Sequence, residues 1–145
     1  MSAELLVANL LRVANEDLDG ARILARQGNR NAIYLCEQAA EKVIRAVLTS
    51  EGRHAGILHQ LNAMVNQVPD ANPVKVALRA VEHLGAYATS YRYPTSVGRI
   101  QPPPTPSEID ENLAKVETAL NAAVTGFKVE LSRPNAPAGR AAPLR

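Results

Sequence analysis

Residues 31–52 read NAIYLCEQAAEKVIRAVLTSEG. Ile33, Cys36, Ala40, Val43, Ile44 and Val47 recur at steps of three and four, which places them on one face of a helix over about 31–51. The charged residues fall on the other side, and Gly52 marks the stop. An apolar stripe of this width needs other helices to cover it, and the flanking sequence provides them.

Upstream, Leu6, Leu10, Ala14, Leu18, Ala21 and Leu24 share a face of a helix over about 2–27, with Gly20 inside it and Gly28-Asn29 as its stop. Downstream, the loop GRHAGI leads into LHQLNAMVNQV, a short helix with Leu58, Leu61, Val65 and Val68 in register, and PDANP breaks the chain. A fourth helix is expected over about 74–90, burying Ala77, Leu78, Val81, Leu84 and Ala88. The loop RYPTSVGRIQPPPTP follows, and its four prolines between 102 and 106 favour an extended path. The last helix has the clearest start: Thr105 as N-cap, Pro106 at the first position, Glu108 to complete a capping box. Ile109, Leu113, Val116, Leu120, Val124, Phe127 and Leu131 then step by three and four. No segment alternates with period two. The expected fold is all-α, an antiparallel four-helix-type bundle with one additional short helix over residues 1–131. Residues 132–145 have Pro, Gly and Ala without pattern and are expected to be a disordered tail.

The 145 residues suit a single domain, and 46% of them are apolar. The formal charge of +2 misleads, because Arg133, Arg140 and Arg145 lie in that acid-free tail. Without them thirteen basic face fourteen acidic residues, a net of −1, which lacks the global charge of a dedicated nucleic-acid binder. Cys36 is alone, so no intrachain disulfide forms, and it reads as a small buried hydrophobe. No apolar run reaches the roughly 18 residues of a membrane span. The start, MSAELLVANLLRVANEDLDGA, carries acids and no early basic region, so it is no signal peptide, and a cytoplasmic location is expected.

Four groups of residues invite a chemical reading. Gln38, Glu41, Lys42 and Arg45 recur at helical spacing, either as a binding edge or as a solvated face with a Glu41–Arg45 ion pair. Arg53, His54 and His59 cluster after that helix, without the Cys or paired His that zinc requires. Arg79 and His83, four apart on one helical face, could serve an RNase, the His moving a proton and the Arg meeting phosphorane charge. A salt link from Glu82 or an exposed face explains the same residues more cheaply. The chain has only five aromatic residues, four Tyr and one Phe, and Tyr87, Tyr91 and Tyr93 gather around Arg92. Tyr rings stack on bases and Arg forks onto phosphate. Equally, the tyrosines plug the bundle end and Arg92 caps carbonyls. No cofactor motif is present.

Together, EDLDGARILARQGNRNAIYLCEQAAEKVIRAVLTSEG, then His59-Gln60-Leu61, then YRYP after the fourth helix, resemble the HEPN domain family over about residues 10–130. The resemblance implies a helical bundle that usually dimerises. It also implies nucleotide binding, or partnership with a minimal nucleotidyltransferase in toxin–antitoxin-like pairs. Some members are metal-independent RNases with an Arg, four to six residues, then a His. Arg79 to His83 has three intervening residues, and Arg53 to His59 has five but lies before the third helix, so no catalytic residue carries over. What carries over is a ligand-binding surface of Gln38, Glu41, Lys42, Arg45, His59, Tyr91, Arg92 and Tyr93. The C-terminal ends of the second and fourth helices are expected to bring it together at one pole. The alternatives are an RNase toxin acting on RNA and a non-catalytic dimerising adaptor.

Overall fold

The computed structural model describes residues 2–54, 56 and 60–145. Its elements are α1 (Ala3–Arg26), α2 (Asn31–Ser50), α3 (Leu61–Asn66), α4 (Lys75–Arg79), a 3-10 helix (Glu82–Tyr87) and α5 (Pro106–Phe127). Among the described residues there is no strand, as the missing period-two pattern implied.

The three long helices end alike. After α1, Asn29 N–H reaches Leu24 O across Gly28 at φ +66; after α2, Arg53 N–H reaches Leu48 O across Gly52 at φ +69. After α5, Val129 N–H reaches Val124 O across Lys128 at φ 54. Each is a Schellman closure that satisfies carbonyls the helix leaves open. The last one stops α5 at Phe127, short of Leu131.

α1 and α2 form an antiparallel pair. Asp17 meets Lys42, and Leu35 lies against Gly20, where a Cβ would stand 3.1 Å from its Cδ1. Gly20 therefore stands inside the unbroken α1 at the point where a neighbouring side chain needs its space. Ala8, Ala14, Ala21, Ala32, Ala39, Ala40 and Ala46 are fully buried, so small residues let the helices approach closely. Leu11, Leu18, Ile33, Ile44 and Leu48 fill between them, each contributing roughly 1.5–3 kcal/mol by leaving water. α5 also runs against α1, with Arg22 on Glu117 at 3.2 Å. No helix among the described residues is long and apolar enough to cross a membrane.

The start of α5 follows its sequence signal at the N-cap and Pro106, while Glu108 reaches the Thr105 hydroxyl rather than its backbone N–H as a capping box would. Thr105 Oγ1 accepts from Glu108 N–H at 3.2 Å, and the Thr105 hydroxyl donates to the Glu108 carboxylate at 3.2 Å. Thr105→Ala should cost about 1 kcal/mol in urea unfolding, and no measurable change would show that the cap is dispensable.

Two expectations need correction. The fourth helix is not continuous over 74–90: α4 gives one turn, and the chain tightens into the 3-10 helix. Leu78, Val81 and Leu84 are buried and Tyr87 packs on the core, a spacing of three throughout. That is the 3-10 period; on an α-helix it would drift around the cylinder. Gly85 sits where this segment crosses α3, a Cβ there standing 3.4 Å from Leu61 N.

The tail is ordered onto the bundle. Ala138 and Leu144 are buried, and Ala138 N–H bonds to Glu4 O. Arg12, only 7% exposed, donates to Glu130 O and Ala136 O. Gly126 and Gly139 make the close approach possible: a Cβ would stand 2.7 Å from Leu144 and 2.9 Å from Lys128. Arg145 ends beside Glu51, its Nη2 donating to Oε2 at 3.2 Å, which raises the Arg145 pKa. Its Nη1 lies 2.7 Å from Oε1, but off hydrogen-bonding direction. The tail looked patternless because its anchors are a few separate contacts rather than a stripe.

Candidate functional site

Pro94 cannot donate a backbone N–H and disfavours helix in the residue before it, so the chain leaves the 3-10 segment through turns at 88–92. Tyr87 and Tyr91 stack with centroids 5.6 Å apart and planes 28° from parallel. Both pack on the core. Burial, then Tyr91, then Glu108 push the Tyr87 pKa up. These two rings are the plug at the bundle end.

Arg92 and Tyr93 behave differently. The Arg92 guanidinium lies over the Tyr34 ring, 4.3 Å from its centroid, and 5.6 Å from that of Tyr93. Its hydrogen bond is a long one, from Nη1 to Ala88 O at 3.4 Å. Such a cation–π contact is worth about 0.5–1 kcal/mol at an exposed site, enough to set the orientation of the guanidinium without using up its donors. Tyr93 is 65% exposed. Beside them Arg30 Nη1 donates to Gln101 O at 2.7 Å, fixing the proline-rich loop over the α1–α2 turn. The result is a cleft of about 210 Å³ lined by Arg30, Tyr91, Arg92, Tyr93, Pro94 and Ile100.

The other half of the expected surface lies elsewhere. Tyr34 and Arg45 are about 16 Å apart along α2, and the Arg92 cluster sits over the start of that helix, not its end. The expected gathering at one pole is thus corrected, because the segment before Tyr91 runs back toward the N-terminal end of α2. Gln38 donates to Glu37 at 2.8 Å, and Lys42 pairs with Asp17 at 2.5 Å. Glu41 is 8% exposed and faces Arg45 at 3.7 Å. Arg45 does meet Arg53 and His54, in a groove of about 430 Å³ floored by Leu6, Leu10 and Leu48. His59 lies outside the described residues.

Arg79 and His83 are not on one helical face, since α4 ends at Arg79. Arg79 pairs with Glu82 at 2.8 Å, the salt link that competed with the RNase reading. His83 Nε2 lies 2.7 Å from Asn112 Oδ1 on α5, which engages that nitrogen. An open groove of about 720 Å³ runs past His83, Glu82, Gln60 and Asn62. It is larger than the Arg92 cleft, but His83 and Glu82 are already engaged. Cys36 is buried, and burial, then the Glu37 charge, push its thiol up to about 12, which keeps it protonated and unreactive. Among the described residues no three His, Cys, Asp or Glu gather to hold a metal.

Sequence reasoning missed Arg30 and Tyr34. A signal was present: Tyr34 precedes Gln38 by one turn on the same helix edge and is one of only four tyrosines.

The chain matches no curated protein and no solved structure. The family model of the HEPN domain matches residues 7–126, from the first turns of α1 to the last turn of α5. A match of that extent, on an all-helical bundle, places this chain in the HEPN domain family.

Proposed function

We propose that this HEPN chain is a binding module that takes a nucleotide at the Arg92 cleft and acts as the accessory partner of a minimal nucleotidyltransferase. The observation that supports it is the posture of Arg92, held over the Tyr34 ring beside an exposed Tyr93. A guanidinium held this way is preorganised for a phosphate fork, and an exposed ring beside it offers a base a stacking face. Arg30 adds a second positive charge at the same opening. In this reading Lys42 and Arg45 support the fold rather than touch the ligand, since both lie down α2 beside carboxylates. HEPN domains often dimerise, and we infer that this one does so; light scattering at micromolar concentration tests it, and a strict monomer would count against it.

The RNase alternative has less support, since Arg79 and His83 are engaged with different partners.

Titration with fluorescently labelled ATP and ADP tests the nucleotide reading. Saturable binding tighter than about 1 mM, roughly −4 kcal/mol, is expected. Its absence would sink the reading. Arg92→Ala should weaken binding tenfold or more, about 1.4 kcal/mol, with unfolding changed by no more than about 1 kcal/mol, the worth of the lost cation–π contact. Unchanged binding with lost stability would make Arg92 a carbonyl cap instead.

A further inference from the structure

Beyond the cleft, the loop that forms its rim has a feature the nucleotide reading does not use. Six large apolar side chains are left exposed among the described residues, and three of them, Tyr93, Val97 and Ile100, fall within eight residues. Val97 is 77% and Ile100 73% exposed. Scattered exposed aliphatics need no explanation, but a cluster at a loop tip does.

The tip is held rigid. Thr95 N–H donates to Arg99 O at 2.7 Å, Gly98 N–H to Thr95 O at 2.8 Å, and Arg99 N–H to Thr95 Oγ1 at 3.1 Å. Gly98 takes φ +79, a conformation side chains rarely adopt, so the turn depends on glycine at that position. A preorganised turn loses little entropy on binding. Its charge has one sign: residues 83–107 contain no Asp or Glu, while Arg92 and Arg99 flank the tip and Arg30 lies beneath. The next acid, Glu108, is engaged by the Thr105 hydroxyl.

From these observations we propose that residues 95–100 form a docking knob for a protein partner that offers an apolar socket rimmed by carboxylates. Val97 and Ile100 would fill the socket, and Arg99, with Arg92 at the edge, would meet the acidic rim. Aliphatic side chains offer no ring for a base to stack on, so their exposure favours a protein over single-stranded nucleic acid. Two aliphatics and a tyrosine are also too little apolar surface for stable membrane anchoring. The arginines and Tyr93 at the knob's edge are residue types in which interface hot spots are enriched. This inference rests on reading the chain as an accessory module and not on nucleotide binding.

A photo-crosslinking residue installed at position 97, and as control at Val76, which is 80% exposed on α4, tests it in the cells that make the protein. A protein captured at 97 but not at 76 is then purified and titrated against the full chain by calorimetry. We expect saturable binding that weakens tenfold or more with Val97→Asp or with Arg99→Glu, and that weakens as salt is raised. Labelled-nucleotide titration of the same variants should be unchanged. No capture at 97 beyond the control, or equal binding by Val97→Asp, overturns the proposal. So does capture of RNA alone, or co-sedimentation with phosphatidylglycerol vesicles that Val97→Asp abolishes. Should nucleotide titration fail while the partner still binds, only the nucleotide reading falls.

Discussion

Phe127→Ala should lower the unfolding free energy by about 3–5 kcal/mol. Phe127 is the chain's only phenylalanine and the largest fully buried side chain among the described residues. Truncation removes its transfer energy and leaves a cavity that close-packed helices collapse into only in part. The site is also poorly placed to relax. The Phe127 carbonyl accepts Arg140 N–H at 3.1 Å, and the adjoining Gly126 holds Leu144, so collapse would disturb the tail. Against a total of roughly 5–15 kcal/mol the loss is severe, with a melting-temperature drop on the order of 10 °C. Urea unfolding followed by circular dichroism measures it; a loss below about 1 kcal/mol would show that the ring is not core. At moderate temperature nucleotide binding should survive, since Phe127 lies about 28 Å along α5 from Glu108, beside the Tyr87 plug.

Arg12→Ala should cost about 2–4 kcal/mol and free the tail to proteases. The Arg12 guanidinium bonds to Glu130 O through Nε at 3.3 Å and Nη2 at 2.9 Å. Its Nη1 reaches Ala136 O and Asn9 Oδ1, both at 2.8 Å. One planar group thus holds two points of the segment after α5, Glu130 and Ala136, against α1, a span an ammonium does not reproduce, so Arg12→Lys should rescue little. A chain ending at Val129, which keeps the closure of α5 but lacks both Glu130 and Ala136, isolates the mechanism. If Arg12 acts through the tail, Arg12→Ala in that shortened chain should cost much less than in the full one, as coupled residues do in a double-mutant cycle. Equal losses in both backgrounds would assign Arg12 a role within α1 instead.

The long helices were legible because their signals are periodic and local. The stripe from Ile33 to Val47, the glycines after α1 and α2, and the Thr105-Pro106 start each act within a few residues. The fourth helix was misread because three-residue spacing was fitted to an α-helix; Leu78, Val81, Leu84 and Tyr87 carry the tighter period in plain view. The tail was illegible for another reason. Its contacts pair residues over a hundred positions apart, Arg12 with Glu130 and Glu4 with Ala138, and nothing local announces them. The candidate site was half legible. YRYP identified Arg92 and Tyr93, but which helix end they would meet depends on the path between α2 and α5, and that path hid Arg30 and Tyr34.

That path also sets how the cleft responds to its surroundings. Tyr34 belongs to α2, a twenty-residue helix that packs along α1. Arg92 and Tyr93 hang from one turn of α-helix and a 3-10 stretch, whose shorter ladders can break while the rest stays folded. The two walls therefore belong to different cooperative units. A ligand bridging them draws part of its free energy from suppressing the local opening of 75–91, and by reciprocity anything that loosens that segment lowers affinity without touching a contact. In the nucleotide reading proposed above, binding strength is tied to the least cooperative piece of the bundle's backbone.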